Sequence, residues 1–596
     1  MEDLYHELWG NQSPRITDFT VPVPEVQYSP LPGFGIGLHP DEVNQFLPPK
    51  VLASTEHVFN VLRVNSILPC GRNRLLVRKQ FEIIESHLQH AASTKWNNTD
   101  PSTGDPQCGT NLDYKVSGQP GIGKSYFLSY LLARRLQMCQ PTVYRRSDDQ
   151  CFLFDEGTAG QEVSASILFQ LTEDKKREIW ILTDSIMCNP SWLLWDHSWF
   201  VVMGSLPAKV NQSTRWEKGR NSAVYYVDNW KWGEILAGFS PSWLTKRVEN
   251  RIAYARHPTP NEVVKLYTMF VCLGPVARTC LEIIATDSQS NYNDSLRVYL
   301  GQIDREIYHF ISSGGLSIMD DSVNQESSHK ISLMVPSADS RTCTTQITTR
   351  WIAHKIFEVA HQQSQRDCFQ LYKYLSSQPQ LRSAASWFFE GYAHDWLGHG
   401  GYFSADKLPI LDKPSSILEF RIVGSQSAPL NYFTTPADLA KQVCGEGHHG
   451  IKVGVIGKYF LPRSCNNESL DGLAFSHSDT LILFQMTLAK SHSIKPAGVK
   501  DLLDLLPNTI SNIQLVFVVP HERIGSYTSL QTVLSPDSVR PQGPPVTIEQ
   551  FRLSFTEDMM KATVVNGPFV SHPKAQFIGG CTSDDDTKHS PLPGIN

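Results

Sequence analysis

One short motif constrains this chain more than any other part of its sequence. The pattern G-x-x-x-x-G-K-[ST] is matched in full by Gly118-Gln119-Pro120-Gly121-Ile122-Gly123-Lys124-Ser125. In this pattern backbone N–H groups curl around phosphate oxygens, the lysine reaches the β and γ phosphates, and the serine hydroxyl ligates Mg²⁺. An apolar run, Tyr114–Val116, precedes the motif, and residues 125–138 have the spacing of a helix. The sequence therefore predicts a phosphate-binding loop, with the positive end of a helix directed at the phosphates.

A loop of this kind needs a second acid that holds Mg²⁺ through water. Asp184 ends the apolar strand Trp180–Thr183, which is where such an acid belongs, and Asp155-Glu156 is the alternative. The residue after Asp184 is Ser185, whereas a glutamate there would be the usual base for attack by water. This difference predicts slow hydrolysis, or a base supplied from elsewhere.

Phosphoryl transfer also requires polar and cationic groups close to the γ-phosphate. Ser205 follows the apolar strand Trp199–Met203, and Arg278 begins a helix further along the chain. We expect both to contact the nucleotide. Arg215 and Arg220 lie in the loop beyond Ser205, and either is a candidate arginine finger. For each of these residues a solvated surface position explains the sequence equally well.

The composition is that of a folded protein with little net charge. The chain has 596 residues, 41% of them hydrophobic, and a net charge of −6. These values exclude global disorder and a protein that coats polyanions, but they allow a local basic cleft. None of the 12 cysteines forms a C-x-x-C pair, which argues against a zinc ribbon or a disulfide scaffold. With no conventional secretory signal and no apolar run near the roughly 20 residues of a membrane span, we expect an intracellular protein of the cytoplasm or nucleus.

Changes in pattern along the chain predict an α/β fold with several domains. Alternating apolar runs and helices after residue 111 indicate βαβ units around a parallel sheet. The predicted segments are a loosely ordered, proline-rich leader (1–50), an N-terminal segment and linker (51–110), a P-loop NTPase core (111–231), a helical lid or linker domain (232–400), a second α/β domain (401–560) and a polar tail (561–596).

Polar side chains interrupt an apolar hairpin in the last third of the chain. Residues 469–475 and 481–488 are predicted to be antiparallel strands joined by a turn at residues 477–479. Gln485 and Thr487 are two residues apart and share a face, and Asp471 lies on the neighbouring strand. Buried polar groups must be satisfied by hydrogen bonds or by a metal ion. A metal ion is one interpretation of these polar positions, and hydrogen bonds within an ordinary α/β hairpin are the other. His448-His449 is predicted to be part of a loop.

This hairpin resembles the core of restriction-endonuclease-like proteins, whose pattern is D…(D/E/Q)-x-K on two adjacent strands. The acids of that pattern bind Mg²⁺, and its lysine aids the attacking water. Asp471 matches the first acid and Gln485 matches a glutamine variant of the second, while Thr487 stands in the position of the lysine. Lys490 is the nearest substitute for that lysine, followed by His492 and Lys495. The resemblance implies either an active nuclease or an inactive relative of one.

Four stretches taken together resemble Crinkler effectors and the related retrotransposon-hot-spot proteins. They are residues 118–136, residues 382–390 with 400–403, residues 459–471 and residues 484–495. The resemblance covers about 75–560 and implies a STAND-like or ORC-like P-loop NTPase joined to a restriction-endonuclease-like domain. It also implies DNA as a target and a nuclear site of action, often in a host or competing cell. The delivery motif L-x-L-F-L-A-K of oomycete members does not occur in residues 1–50.

Three functions are compatible with these features. The first is a nuclease that is regulated by ATP or GTP and needs Mg²⁺ at both sites. The second is a non-catalytic NTPase switch whose C-terminal domain binds DNA or a protein partner. The third is a signalling or chaperone-like ATPase, and a homo-oligomer is compatible with each. The motif contacts phosphates, so it does not distinguish ATP from GTP.

Overall fold

The chain folds as a mixed α/β protein, which we describe from a computed structural model. The described residues are 1–11, 16–22, 26–27, 51–52, 56–97, 113–147, 150–184, 196, 198–204, 222–239, 259–284, 288–312, 329–363, 365–378, 381–410, 416–424, 431–433, 435–445, 450–462, 470–489, 496–531 and 546–562.

The N-terminal elements pack against the segment that carries the glycine-rich loop. They are α1 (Glu2–Leu8), β1 (Ile16–Pro22), β2 (Val26–Gln27), β3 (Val51–Leu52), β4 (Glu56–Arg63), β5 (Arg74–Val77) and α2 (Lys79–Asn97). Strands β1, β4 and β5 form an antiparallel sheet in that order. Residues 1–50 were expected to be a loosely ordered leader, but the chain begins with a packed helix. Leu4, Tyr5 and Leu8 of α1 are buried in the same core as the helix that follows the glycine-rich loop. The prolines that suggested a leader begin only at Pro22.

The next segment is built around a seven-stranded sheet. Its elements are β6 (Tyr114–Ser117), α3 (Lys124–Gln137), β7 (Thr142–Arg145), β8 (Cys151–Phe154), β9 (Gln161–Val163), α4 (Ala165–Phe169), α5 (Glu173–Glu178), β10 (Trp180–Asp184), β11 (Phe200–Gly204) and β12 (Ala223–Tyr226). The strand order is β12-β6-β11-β10-β7-β8-β9, and the first five strands are parallel. Because parallel strands end at the same edge, the loop after β6 and the end of β10 face the same side of the sheet.

The following segment is mainly helical, as predicted, but it contains a two-stranded hairpin. Its elements are α6 (Trp232–Phe239), α7 (Pro260–Leu273), a π-helical turn (Thr279–Ile283), α8 (Gln289–Ser312), β13 (Ser332–Pro336), β14 (Cys343–Ile347), α9 (Arg350–Gln363), α10 (Gln365–Ser377) and α11 (Arg382–His399). Helix α7 begins at a capping box, in which the Thr259 hydroxyl accepts from the Glu262 N–H and the Glu262 carboxylate accepts from the Thr259 N–H.

The C-terminal segment is an eight-stranded sheet with helices on both faces. Its elements are β15 (Gly401–Lys407), β16 (Ile417–Ile422), β17 (Asn431–Phe433), α12 (Pro436–Val443), a 3₁₀ turn (Val453–Val455), β18 (Tyr459–Pro462), β19 (Gly472–His477), β20 (Thr480–Met486), α13 (Pro496–Leu503), β21 (Asn512–Pro520), a 3₁₀ turn (His521–Ser526), β22 (Thr547–Phe555) and α14 (Glu557–Ala562). The strand order is β16-β15-β22-β21-β20-β19-β18-β17.

Two features of this sheet bear on the predicted site. The antiparallel hairpin is confirmed, since β19 pairs with β20 from Gly472 opposite Phe484 onwards. A boundary between a helical domain and the C-terminal domain was predicted at residue 400. Helix α11, which precedes that residue, nevertheless packs against the C-terminal sheet. The Phe389 and Phe555 ring centroids are 5.7 Å apart, and Trp396 stacks on Phe555 at 4.8 Å. Helix α11 therefore presents its side chains to the C-terminal sheet.

Candidate functional site

The glycine-rich loop joins β6 to α3, as the motif predicts. Gly121 and Gly123 have φ angles of +79° and +102°, in the left-handed region that favours glycine. At Gly121 a side chain is excluded for a second reason, because a Cβ atom there would lie 2.6 Å from the Cβ of Arg278. The Arg278 N–H also donates to the Gly121 carbonyl at 3.3 Å. Arg278 therefore lies directly against the loop, where it was expected.

Lys124 is buried at the start of α3 and bends back onto the loop. Its Nζ donates to the carbonyl oxygens of Gly118 at 2.8 Å and Gln119 at 3.1 Å. The pKa of Lys124 is lowered to about 7, mainly by burial; the charge of Asp184 opposes this shift, and the charges of Arg278 and Lys115 add to it. A buried amine beside other cations is stabilised by an anion, and phosphate is the anion this loop geometry suits.

Ser125 and Asp184 meet at the carboxyl edge of the sheet. The Ser125 hydroxyl donates to Asp184 Oδ2 at 2.6 Å. A hydroxyl and a carboxylate placed together in this way are oxygen donors that would suit Mg²⁺. The alternative acid, Asp155, accepts hydrogen bonds from the N–H groups of Gly157 and Thr158 in its own turn. Of the two acids, Asp184 is the one at the loop.

A cleft extends from the loop along the N-terminal segment and the helical region. It is lined by Arg72, Arg74, Leu75, Leu76, Phe81, Gly121, Gly123, Lys124, Ser125, Tyr126, Asp184, Trp230, Gly238, Ala277, Arg278, Leu281 and Glu282. Its lining combines the cations and oxygens described above with the apolar side chains of Leu75, Leu76, Phe81 and Trp230. Apolar walls with a few convergent polar groups are typical of a small-molecule site.

Sequence reasoning missed the apolar wall of this cleft. Leu75, Leu76 and Phe81 come from the predicted linker, and Trp230 donates its indole N–H to the Ile122 carbonyl at 2.8 Å. Arg78 fixes this wall, because its guanidinium pairs with Glu234 at 3.1 Å. The apolar run at residues 75–77 was visible in the sequence, but nothing local to it indicates that it approaches the loop.

The remaining cofactor-binding predictions fall into two groups. The Gln119 side chain turns away from the cleft: its Nε2 donates to the carbonyls of His329 and Ser332, and its Oε1 accepts from the Met334 N–H at 2.9 Å. Its predicted contact to the nucleotide is therefore limited to its backbone, like those of Pro120 and Ile122. Ser205, Arg215 and Arg220 lie outside the described residues.

The lowered pKa of Lys124 gives a prediction about protons. At pH 8 the free amine, with a pKa of about 7, is mostly neutral, and a bound triphosphate restores its charge. Binding of Mg·ATP at pH 8 is therefore expected to take up about one proton, and affinity falls as pH rises above 7. Titration calorimetry in two buffers of different ionisation enthalpy measures this uptake. The proton uptake should shrink towards zero at pH 6. A binding heat at pH 8 that does not depend on the buffer would contradict the predicted uptake.

The predicted C-terminal residues lie together at the start of the β19–β20 hairpin. Asp471 directly precedes β19, and its Oδ2 accepts from Gln485 Nε2 at 2.6 Å and from the Met486 N–H at 2.8 Å. Both side chains are buried. The other end of the Gln485 amide, Oε1, is buried without a hydrogen-bond partner among the described residues. An acceptor oxygen in this state, next to a carboxylate, suits a cation.

Helices α9 and α11 bring further charged groups to Asp471, which sequence reasoning missed. Glu390, on α11, forms an ion pair with Arg350, the first residue of α9. His394, one turn after Glu390, lies 3.4 Å from Glu390 Oε1, and its Nδ1 is 2.8 Å from the Tyr459 hydroxyl. We refer to Glu390, Asp471 and Gln485 as the acid cluster.

The charges in the acid cluster are strongly coupled. Burial raises the pKa of Asp471, the negative charge of Glu390 raises it further, and Arg350 opposes both. Burial would also raise the pKa of Glu390, but Arg350 and His394 outweigh it, so the Glu390 pKa lies below its ordinary value. The arrangement therefore favours an ionised Glu390 next to a protonated Asp471 in the absence of another cation.

Thr487, which was predicted to stand in the position of the catalytic lysine, makes local hydrogen bonds. It lies just beyond the end of β20, its N–H donates to the Val518 carbonyl, and its hydroxyl accepts from the Ala489 N–H at 3.0 Å. The hydroxyl is thus used in a local turn. Lys490, His492, Lys495 and the His448-His449 pair lie outside the described residues. Within the described ranges, no group of three or more His, Cys, Asp or Glu side chains is arranged to hold a metal ion.

The described part of the chain contains no helix with the length and apolar character needed to cross a lipid bilayer.

No protein-family model matches the sequence. Crinkler effector protein 15 of Phytophthora infestans is 23% identical over 481 residues, covering 78% of this chain and 66% of that protein. Crinkler effector protein 16 of the same organism is 22% identical over 480 residues, with the same coverage. The chain thus spans 66% of the length of these two curated relatives.

Among solved structures, the C. elegans PCH-2 structure matches with a TM-score of 0.22 and 10% identity, covering 41% of this chain and 74% of that one. This likeness is too low to carry an argument. The similarity to the two Crinkler effector proteins, which extends over most of the chain, agrees with the resemblance seen in the sequence.

Proposed function

We propose that this protein is a nucleotide-dependent, Crinkler-like effector in which a P-loop NTPase regulates a restriction-endonuclease-like domain. The observation that carries the proposal is the meeting of Lys124, Ser125 and Asp184 at one loop, with Ser125 Oγ 2.6 Å from Asp184 Oδ2. The similarity to two Crinkler effector proteins supports a role as an effector. ATP or GTP with Mg²⁺ is the proposed cofactor.

Each residue at the loop has a distinct part in the proposed reaction. The backbone N–H groups of the loop hold the phosphates, and Lys124 exchanges its two carbonyl acceptors for β and γ phosphate oxygens. Ser125 and Asp184 would hold Mg²⁺, which would supply positive charge against the charge that develops on the phosphates. Arg278, whose backbone lies against Gly121, places a further cation at the entrance, on the helical segment that would close over the nucleotide.

At the acid cluster the proposed substrate is the phosphodiester backbone of DNA. Asp471 and Glu390 supply carboxylate oxygens and Gln485 a neutral one, a donor set that suits Mg²⁺ or Mn²⁺. The metal would activate water for attack on phosphorus. The proposed site of action is the nucleus or cytoplasm of a cell into which the effector is delivered.

A second function is favoured by specific contacts. Arg350 neutralises Glu390, burial favours a protonated Asp471, and the hydroxyl of Thr487 is used in a local turn. A cluster in this state holds no metal and performs no hydrolysis. The alternative is therefore a non-catalytic switch, in which the NTPase changes how the C-terminal domain binds DNA or a protein partner.

Plasmid cleavage distinguishes these functions. The wild type, Lys124→Ala and Asp471→Ala are incubated with supercoiled plasmid and Mg²⁺ or Mn²⁺, with and without ATP, and Asp155→Asn serves as a matched control. A nuclease loses cleavage in Asp471→Ala and loses its response to ATP in Lys124→Ala. If no condition gives cleavage while ATP still binds, the nuclease is ruled out and the switch is retained. Failure of Mg·ATP to bind would overturn the proposal as a whole.

A further inference from the structure

The β13–β14 hairpin connects the glycine-rich loop to the start of α9. Three hydrogen bonds join the Gln119 side chain to the beginning of this hairpin, through the His329 and Ser332 carbonyls and the Met334 N–H. At the same end of the hairpin Ile347, the last residue of β14, pairs with Ser332, and Arg350 follows three residues later. The contacts to the loop and the segment that leads into Arg350 therefore lie side by side.

The link between β14 and Arg350 is tightly packed. The Thr349 hydroxyl donates to the Cys272 carbonyl at 2.7 Å and accepts from the Ile352 N–H, so it caps α9. Thr348 packs so closely on Gly274 that a Cβ there would lie 2.3 Å from the Thr348 methyl group. The segment after Gly274 leads to Arg278, which rests on Gly121. A shift at the loop has two routes to the start of α9, one through Gln119 and one through Gly274.

At the start of α9, Arg350 supplies the positive charge of the acid cluster. Its guanidinium pairs with Glu390 and lowers the pKa of Asp471, whereas Glu390 raises it. The unpartnered Gln485 Oε1 is a further acceptor in the cluster. A divalent cation would use these same oxygens. A divalent cation at these oxygens would be repelled by the neighbouring Arg350 guanidinium.

On the basis of the proposed function, we propose that Arg350 is the resident cation of the acid cluster, that a divalent metal enters only when Arg350 withdraws from Glu390, and that the β13–β14 hairpin links this withdrawal to nucleotide at the glycine-rich loop. Nucleotide and metal would then be bound in order, and the cluster would stay closed to metal while the loop holds no nucleotide. Discrete rearrangements of packed elements are a common basis for such coupling.

Metal binding without nucleotide tests the resident cation. Mn²⁺ is titrated into the full chain and free Mn²⁺ is followed by electron paramagnetic resonance, with Asp184→Asn in every variant to remove the metal site at the loop. Arg350→Gln keeps a hydrogen-bond donor for Glu390 but removes the positive charge. The protein with this change is expected to bind Mn²⁺ at least 10-fold more tightly than the parent protein, which carries Asp184→Asn alone. Arg350→Lys keeps the charge and is expected to resemble the parent. Arg421→Met is the matched surface control.

Adding Asp471→Asn to Arg350→Gln should abolish the gain. Equal Mn²⁺ affinity with Arg350 and with folded Arg350→Gln would overturn the proposal. If Arg350→Gln does not fold, Mn²⁺ binding by the Asp184→Asn protein that keeps Arg350 still tests the proposal. Nucleotide-free Mn²⁺ binding that is tight with Arg350 present and lost in Asp471→Asn would overturn it as well.

Hydrogen exchange tests the link to the loop. Saturation with a non-hydrolysable Mg·ATP analogue is expected to speed exchange by at least 5-fold in peptides from the first turn of α9, and Gln119→Ala should remove this response at nucleotide saturation. Binding of the analogue without any change at α9 would overturn the coupling, whereas no binding at all would overturn the proposed function and leave the Mn²⁺ result to decide on Arg350.

Discussion

Lys124→Ala is expected to weaken binding of Mg·ATP by about 100-fold or more. In the free protein the amine is buried and bonded only to the Gly118 and Gln119 carbonyls among the contacts that we describe. Charge-assisted hydrogen bonds are worth about 1.5–3 kcal/mol each. If Lys124 contacts two phosphates, its removal costs at least about 3 kcal/mol of binding free energy. Because each 1.4 kcal/mol changes affinity about tenfold, this loss corresponds to about 100-fold or more. Calorimetric titration with Mg·ATP, in the absence of turnover, measures the change.

Two controls separate this loss from misfolding. Lys79→Ala removes an exposed lysine from α2 and should leave affinity unchanged. The thermal midpoint of Lys124→Ala without nucleotide should not fall at pH 7 or below. The folded pKa, about 7, is lower than the ordinary 10.5, so the buried charge costs stability most at low pH, and its removal relieves that cost. Affinity within threefold of wild type would show that Lys124 does not contact phosphate.

The site around Lys124 could be predicted from the sequence because its parts are local. The glycines, Lys124 and Ser125 form one continuous motif, and Asp184 is recognisable as the polar end of an apolar strand. Their meeting follows from a rule of parallel sheets, in which the loops at the carboxyl ends share one edge. The strand order only had to place β10 close to β6, and β11 lies between them.

The acid cluster could be predicted only in part, because its charged members are far apart in the chain. Asp471 and Gln485 are joined by a hairpin, and the alternation of polar and apolar residues reveals them. Glu390 directly follows the apolar run Trp387-Phe388-Phe389, and a run of this kind is typical of any buried helix. Arg350 precedes Asp471 by more than a hundred residues. Only the packing of α9 and α11 on the sheet shows that these charges meet.

Gln119 illustrates the same limit within the motif itself. The pattern allows any residue at this position, since only its backbone is expected to touch phosphate. Its side chain instead spans more than two hundred residues of sequence to hold β13. Composition at the N-terminus was misleading for a related reason: seven prolines between residues 22 and 49 suggested a leader from residue 1, whereas a three-residue apolar face is enough to dock α1 on the core.

Asp471→Asn is expected to abolish metal-dependent cleavage and, at the same time, to stabilise the fold above pH 5. Burial and the charge of Glu390 raise the pKa of Asp471 above its ordinary value of 3.8. An aspartate with a raised folded pKa binds its proton more tightly in the folded state. Wild-type stability therefore falls as pH rises from the unfolded pKa towards the folded one. Asparagine has no such cost, and it can still accept a hydrogen bond from the Met486 N–H.

The pH dependence gives this prediction its magnitude. The gap in unfolding free energy between Asp471→Asn and wild type should be near zero at pH 4. It should widen by about 1.4 kcal/mol for each pH unit above that, until the folded pKa is reached. Urea unfolding at pH 4, 5, 6 and 7, followed by circular dichroism, measures the gap. Asp479→Asn, at the turn of the same hairpin, is the matched control.

Stability and cleavage together decide what the cluster is for. A buried carboxylate that costs stability at neutral pH is retained where a cation or a substrate needs it, since a neutral residue would make a more stable fold. Loss of cleavage together with the pH-dependent gain in Asp471→Asn would mark Asp471 as a catalytic metal ligand held in a strained environment. The gain without any cleavage in the wild type would mark a site that has kept its charges for binding alone. A destabilised Asp471→Asn at pH 7 would contradict both, because it would make the carboxylate a structural anchor of the β19–β20 hairpin.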